Sequence, residues 1–310
     1  MSFELTILGS SSALPTSKRF PTAHLLKVDE RFFLIDCGEG TQVQLRRFGQ
    51  NPGRIHHIFI SHLHGDHVFG LFGLLSSLKM MGRKVPLHLY GPEPLRDMVE
   101  QHLSFFGTLS FELYFHVPDP EGREPVYEDE KVTVQPIWLK HRISTAGYLF
   151  REKRRALNVR KEKIEIYGLG IADVVRVKQG EDHVTSDGEV IPNRELTLPP
   201  YRQRSYAYLS DTAFDPGVAD RVKDVDLLFH EATFAARDEK LAGETLHSTS
   251  KQAATVAKAA GAGKLLIGHF SSRYKDHGFL VEEAREVFSN TVGVNDGDIY
   301  SVPLTRVTKE

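Results

Sequence analysis

One run, Ser61-His-Leu-His-Gly-Asp-His67, puts four metal-binding side chains into six residues, directly after the apolar stretch Ile58-Phe-Ile. Neutral imidazole and carboxylate are the usual ligands of Zn²⁺, at roughly 2.0–2.2 Å. If the segment is extended, His62 and His64 point to one side, because side chains alternate along a strand. Asp66 and His67 then fall on a turn, where Gly65 has no Cβ to obstruct it, and they can face a second position nearby. Two metals roughly 3.5–4 Å apart clamp the attacking and leaving oxygens of a displacement. The run therefore predicts a two-metal hydrolase. Polar residues in a surface turn are the plain alternative, and they do not account for so many ligand types at a strand end.

Four ligands do not complete two sites. Three further candidates each follow an apolar run: His141 after Val132–Leu139, Asp211 after Tyr206–Leu209, and His269 after Leu265–Ile267. A lone histidine in such a place is usually structural, but beside an incomplete cluster it becomes a candidate ligand. Fifteen histidines stand in the 310 residues, several of them at strand ends, as in Leu227-Leu-Phe-His230. Histidines so placed imply a site on one rim of a sheet.

The pattern along the chain is layered α/β. Strands are expected at Leu5–Leu8, Ala23–Val28, Phe32–Asp36, Ile55–Ser61, Val85–Tyr90, Phe111–Val117 and Val132–Leu139. A dense apolar helix is expected at Val68–Met81 and another near Glu93–Leu103. After residue 205 the alternation continues with strands at Tyr206–Leu209, Leu227–His230 and Leu265–Ile267, and helices at Ser250–Ala260 and Leu280–Ser289. Apolar residues make up 40% and charged residues 26%, enough for a core without disulfides. The single cysteine, Cys37, reads as a small buried residue and fits a reducing, cytoplasmic setting. No signal peptide is expected at the N-terminus. No apolar run approaches the roughly 20 residues that span a bilayer. The net charge of −2 does not advertise a nucleic-acid partner, so any such partner needs a local basic patch.

One segment differs. Residues 151–200 are polar with no strong apolar period, and Arg151–Lys163 carries seven basic and two acidic residues. By composition alone this is a solvated loop with a charged helix face, or an insertion that projects from the core.

His-x-His-x-Asp-His resembles the signature of the metallo-β-lactamase superfamily. That resemblance implies a four-layer αβ/βα sandwich, here as a single domain over 1–310. A finer resemblance, to the ribonuclease Z family of tRNA 3′-processing endonucleases, covers nearly the whole chain. It rests on Leu8-Gly-Ser-Ser-Ser-Ala-Leu-Pro-Thr16, Phe33-Leu-Ile-Asp-Cys-Gly-Glu-Gly-Thr-Gln42, Phe229-His-Glu-Ala-Thr-Phe234, Leu246-His-Ser-Thr249 and Gly268-His-Phe-Ser-Ser-Arg-Tyr274. The His-Glu-Ala-Thr and His-Ser-Thr pair discriminates this branch from others.

The resemblance implies two Zn²⁺ per subunit. His62, His64 and His141 would hold one, Asp66, His67 and His269 the other, and Asp211 would bridge them. The implied reaction removes the 3′ trailer of precursor tRNA by metal-activated hydroxide attack on a phosphodiester, with Asp66 orienting the nucleophile. His247 with Glu231 would give a proton to the leaving 3′-oxygen. Read without the resemblance, Glu231 is a helix N-terminal acid and His247 a turn residue near a cap. Arg273 and Ser271 are expected at the substrate phosphate. His230 is left without a role, while His24, His56, His57, His88, His102 and His116 are expected to be structural or exposed.

Ribonuclease Z enzymes carry a tRNA-gripping arm at the position of 151–200, which makes Arg154, Arg155 and Lys161 phosphate contacts by the same resemblance. Where relatives have a Gly/Pro-rich stretch, this chain reads Tyr167-Gly-Leu-Gly-Ile-Ala-Asp-Val-Val175. The resemblance further implies a homodimer. A small-molecule phosphodiesterase on the same two-metal core is the alternative, and a non-catalytic RNA-binding scaffold is a third reading that the intact ligand set disfavours.

Overall fold

Short runs rich in β-branched and aromatic residues, divided by polar turns, form the strands. In the first half they are β1 (Phe3–Gly9), β2 (Ala23–Val28), β3 (Arg31–Ile35), β4 (His57–Phe59), β5 (Leu87–Tyr90) and β6 (Leu113–His116). Next come β7 (Tyr127–Glu128), β8 (Val132–Trp138) and β9 (Ala146–Glu152), then a two-stranded hairpin, β10 (His183–Val184) and β11 (Val190–Ile191). The last five are β12 (Ser205–Leu209), β13 (Leu227–Glu231), β14 (Lys264–Gly268), β15 (Thr291–Gly293) and β16 (Ile299–Ser301). The structure is a computed structural model and describes residues 1–307.

Two seven-stranded sheets result, in the orders β16-β1-β2-β3-β4-β5-β6 and β15-β14-β13-β12-β9-β8-β7. Their facing sides share an aromatic core that includes Phe33, Phe59, Tyr148, Phe150, Tyr208 and Phe229. Phe59 stacks on Tyr90 at 4.3 Å, and such ring pairs add about 0.5–1.5 kcal/mol beyond area burial. Helix Gly70–Met80 buries Leu71, Leu74, Leu75 and Leu78 in a core with the outer face of the first sheet. Helix Ser250–Ala260 does the same for the second sheet with Ala253, Ala254, Val256 and Ala257. Its start is a capping box of Thr249 and Gln252, and Gly261 ends it in the left-handed conformation. Helix, sheet, sheet, helix is the αβ/βα sandwich.

Strands β3 and β4 run parallel, as do β12, β13 and β14. Their C-terminal ends deliver Asp36, the His62–His67 run, Asp211, Glu231 and His269, which follows the rule that open α/β sheets bind ligands beyond those ends.

Several sequence expectations shift. The strand expected at Ile55–Ser61 is only His57–Phe59. The helix expected at Val68–Met81 breaks into Gly65–Val68 and Gly70–Met80. The cause is local: Gly70 N–H donates to the Cys37 carbonyl at 2.9 Å instead of continuing a helix ladder. A Cβ on Gly70 would lie 1.9 Å from the Gly38 carbonyl oxygen, so this close approach needs glycine. Strand β9, buried at all but one position, is not marked in the sequence, because polar residues flank it.

By contacts the chain forms two units, Met1–Arg151 with Ser205–Val302, and Glu152–Arg204 with the described residues from Pro303 onward. The second unit is not a featureless loop. It contains helices Lys161–Ile166, Ile171–Gln179 and Asn193–Leu196 and the β10–β11 hairpin. Its core is small, Val177, Ile191 and Leu196 with Val159 and Tyr167 against them. So few apolar positions leave no long period in the sequence. Within this unit the buried Glu152 carboxylate takes Arg204 Nε and Nη2, each at 2.9 Å, which ties the two ends of the segment together.

No helix among the described residues is long and apolar enough to cross a membrane.

Candidate metal centre

Seven side chains meet at one rim of the first unit. Asp211 organises them. Its Oδ2 lies 3.6 Å from His62 Nε2 and 3.8 Å from His141 Nε2. Its Oδ1 lies 3.4 Å from His67 Nε2 and 3.3 Å from His269 Nε2. One carboxylate thus turns one oxygen to each of two groups. His62, His64, His141 and Asp211 have ligand atoms within 4.8 Å of one another, and so do Asp66, His67 and His269. All seven residues singled out in the sequence are brought together.

The outer nitrogens fix which ring atoms face inward, as assigned from the hydrogen-bond network. Nδ1 of His67 donates to Asp36 Oδ2 at 2.7 Å, and Nδ1 of His141 to the Leu246 carbonyl at 3.0 Å. Ser61 Oγ donates to Asp36 Oδ2 at 2.8 Å, so His62 Nδ1 must donate to Ser61 Oγ at 2.9 Å. His64 is turned the other way, with its Nδ1 3.0 Å from His62 Nε2 and 3.3 Å from His141 Nε2. Inner lone pairs therefore converge with only carboxylate oxygens between them.

Electrostatics say what belongs there. Burial holds His62, His64 and His141 below the ordinary imidazole range, so they are neutral and have lone pairs to give. Burial also works against charge on His67, yet Asp211, Asp66 and Asp36 outweigh it and raise that imidazole well above its ordinary value. The wholly buried His67 Nε2 and Asp211 Oδ1 have no hydrogen-bond partner. Orphaned donor atoms beside excess negative charge fit a cation.

Backbone strain gathers here too. Of the six non-glycine residues with positive φ among the described residues, Ala13, Asp36, Leu246 and His269 all serve this rim. Ala13 N–H donates to Asp66 Oδ2 at 2.7 Å.

Glu231 is wholly buried and accepts from His247 Nδ1 at 3.0 Å, Ser248 N at 2.9 Å and Thr233 N at 2.9 Å. Burial presses the His247 imidazole down, but the Glu231 carboxylate outweighs it and raises its pKa to about 9. His247 also joins Asp211 and His269 as a third group of mutually close ligand atoms. Ser271 lines the cleft of about 670 Å³ that opens on Asp66, His141, Asp211, His247 and His269. Arg273 stands at its side, exposed, its guanidinium over the Phe234 ring at 5.2 Å.

Residues 3–159 match the family model described as anti-Pycsar protein Apyc1, and 190–270 that described as beta-lactamase superfamily domain. A ribonuclease Z of Bacteroides fragilis is 46% identical over 291 residues, covering 94% of this chain and 96% of that protein. One from Porphyromonas gingivalis is 45% identical over 295 residues, covering 95% and 97%. The chain belongs to the ribonuclease Z family. The crystal structure of human tRNase Z, short form, has a TM-score of 0.70 at 27% identity and covers 97% of this chain and 99% of its own.

In this ribonuclease Z family member, sequence reasoning missed four supporting groups: Asp36, Tyr208, Thr233 and the Leu246 carbonyl. Asp36 could have been found, since it is a carboxylate ending a strand in the same way as Asp211. Tyr208 could not, because its hydroxyl reaches Asp36 from the opposite sheet at 2.5 Å. His230 is wholly buried with Nδ1 on the adjoining Glu231 carbonyl, a packing position. His24, which burial lowers to about 3, is likewise a neutral core residue. Cys37 is buried and free.

Proposed function

We propose that this chain is a zinc-dependent endoribonuclease that removes the 3′ trailer from precursor tRNA, and that it works as a cytoplasmic homodimer. The observation that carries the reading is the division of Asp211, one oxygen to each histidine group, beside the His247–Glu231 pair. His62, His64 and His141 would hold one zinc, Asp66, His67 and His269 the second, with Asp211 shared. Bound there, zinc supplies Lewis acidity, bringing the pKa of water toward about 7 and offsetting charge on phosphoryl oxygens.

The chain's own residues do the rest. Asp66, whose Oδ2 accepts from Ala13 N–H, would orient the attacking water and take its proton. A leaving 3′-oxygen needs a proton, and His247 can give one, because Glu231 keeps its imidazole charged at neutral pH. With Nδ1 committed to Glu231, Nε2 is the atom free to deliver it. Ser271 in the cleft and Arg273 at its side would meet the flanking phosphates.

RNA would be gripped by the insertion over 151–200. Arg154 and Lys161 are exposed there, whereas Arg155 shares Glu152 at 2.5 Å and can offer only part of its guanidinium. Such contacts read backbone shape, and binding should weaken steeply with salt.

The test is cleavage of a 3′-extended precursor tRNA against bis(p-nitrophenyl) phosphate. Wild type should cut both with zinc supplied, and Asp66→Ala neither. Arg154→Glu with Lys161→Glu should lose the tRNA and keep the small ester. A wild type that cuts only the ester makes it a small-molecule phosphodiesterase, and one that cuts neither makes it a scaffold.

A further inference from the structure

The Thr233 side chain, buried just beyond β13, has a single hydroxyl hydrogen and three neighbours that compete for it. Its oxygen lies 2.8 Å from Glu231 Oε2, 2.8 Å from His269 Nδ1 and 3.3 Å from His247 Nδ1. The Glu231 carboxylate can only accept, so the hydroxyl donates to it. That choice determines the others. With its hydrogen spent, Thr233 Oγ1 presents only lone pairs, and His269 Nδ1 must carry a proton to bond with it. In the neutral ring, His269 Nε2 is then bare, and it lies 3.3 Å from both Asp66 Oδ2 and Asp211 Oδ1. His247 Nδ1 has its closer partner in Glu231 Oε1 at 3.0 Å and does not displace this arrangement.

The hydroxyl cannot easily turn away. Thr233 N–H donates to the same Glu231 oxygen at 2.9 Å, and the Thr233 carbonyl accepts from Ser271 N–H at 3.2 Å. His269 itself sits at φ +58, a conformation that a β-carbon-bearing residue adopts only when its surroundings enforce it. Its backbone N–H is held by the Ser10 carbonyl at 3.0 Å.

We propose that Thr233 is a positioning residue that locks His269 as its Nδ1–H form, so that Glu231 orders both the proton donor His247 and, through this hydroxyl, an inward-facing nitrogen of the metal centre. This rests on the two-zinc reading of the site. Partners that fix the orientation and tautomer of a ligating imidazole are worth roughly 10–100-fold in metal affinity.

Thr233→Val keeps the shape and removes the hydroxyl, while Thr233→Ser keeps the hydroxyl. Zinc and cobalt binding to the full-length protein would be followed by competition with a chromophoric chelator, and the cobalt absorption bands recorded. Thr233→Val should weaken one of two cations by roughly 10–100-fold and alter its bands, and Thr233→Ser should restore both. Wild-type affinity and spectrum in Thr233→Val overturn the proposal, and so does equal loss in both variants, which would mean a packing role. If Thr233→Val fails to fold, nitrogen-15 NMR of the zinc-loaded wild type decides: His269 protonated at Nδ1 supports the lock, and protonation at Nε2 refutes it. A wild type that takes up fewer than two cations fails at the two-zinc reading itself, and this inference goes with it.

Discussion

Nδ1 of His67 lies 2.7 Å from Oδ2 of Asp36, with both side chains wholly buried. The same carboxylate accepts from Ser61 N at 2.7 Å, Ser61 Oγ at 2.8 Å and the Tyr208 hydroxyl at 2.5 Å. Asp36 therefore orients His67 directly and His62 through Ser61. Asp36→Asn keeps the size and tolerates the left-handed backbone at φ +55, but it puts amide hydrogens where acceptors are needed. Zinc affinity should fall by roughly 10–100-fold, read by chelator competition. Unchanged affinity would show that the centre does not depend on this carboxylate.

His247 and Glu231 should behave as one unit. His247→Ala should lower kcat by about 10²–10⁴-fold, the usual worth of a positioned acid, with zinc content and KM little changed. As a proton donor His247 acts only when charged, so activity falls as pH rises through its pKa. Glu231 raises that pKa to about 9, and bound cations nearby pull the limb lower. Glu231→Gln removes the stabilising charge, so the alkaline limb should shift to lower pH. A pH profile of kcat checks this, and a limb that stays in place would detach the pair from proton delivery.

The two halves of the site differ in how far the sequence discloses them. His62, His64, Asp66 and His67 are contiguous, and contiguity with a period is visible in one dimension. His141, Asp211 and His269 were legible because each follows an apolar run, and parallel strands bring such ends to a common rim. Asp36 with Tyr208 belongs to the other kind. The pair spans 172 residues and two sheets, and nothing in either local pattern says that they meet. Thr233 stands within the His-Glu-Ala-Thr motif, yet its role depends on which of three neighbours takes one hydrogen. Strand β9 is masked by the polar residues on either side of it, and the helices of the insertion by a core of three buried side chains, which leaves no periodic signature.

The insertion carries its own titratable clamp. Burial would raise the Glu152 carboxyl, but Arg204 and Arg155 outweigh it and hold it below the ordinary range. A depressed carboxylate contributes stability above its unfolded pKa, about 4.3, and loses it as pH falls through the folded value. Local opening of Glu152–Arg204 should therefore increase below about pH 4. Glu152→Ala removes the carboxylate to which Arg204 Nε and Nη2 donate, and losing a hydrogen-bond partner to a charged group costs on the order of 1.5–3 kcal/mol. Hydrogen exchange over this segment should speed up at neutral pH in the variant and acquire little further acid sensitivity. Exchange as slow as in wild type would show that the pair is dispensable.

Cys37 offers a reporter of the centre from inside. Burial pushes its thiol up to about 12, so at pH 8 almost none is the reactive thiolate. Its backbone is bracketed by the site, with Cys37 N–H on the His67 carbonyl at 2.8 Å and the Cys37 carbonyl taking Gly70 N–H at 2.9 Å. A disulfide reagent can reach the sulfur only when this segment opens, carrying Asp36 and His67 with it. Labelling should therefore be slow in native protein and fast in denaturant. Zinc binds the closed form, and a ligand at about 100 times its Kd stabilises that form by about 2.7 kcal/mol, roughly 100-fold in the open fraction. Zinc should slow Cys37 labelling in wild type by up to that factor and have much less effect in Asp66→Ala. Labelling at one rate with and without zinc would mean that the segment opens independently of the metal centre.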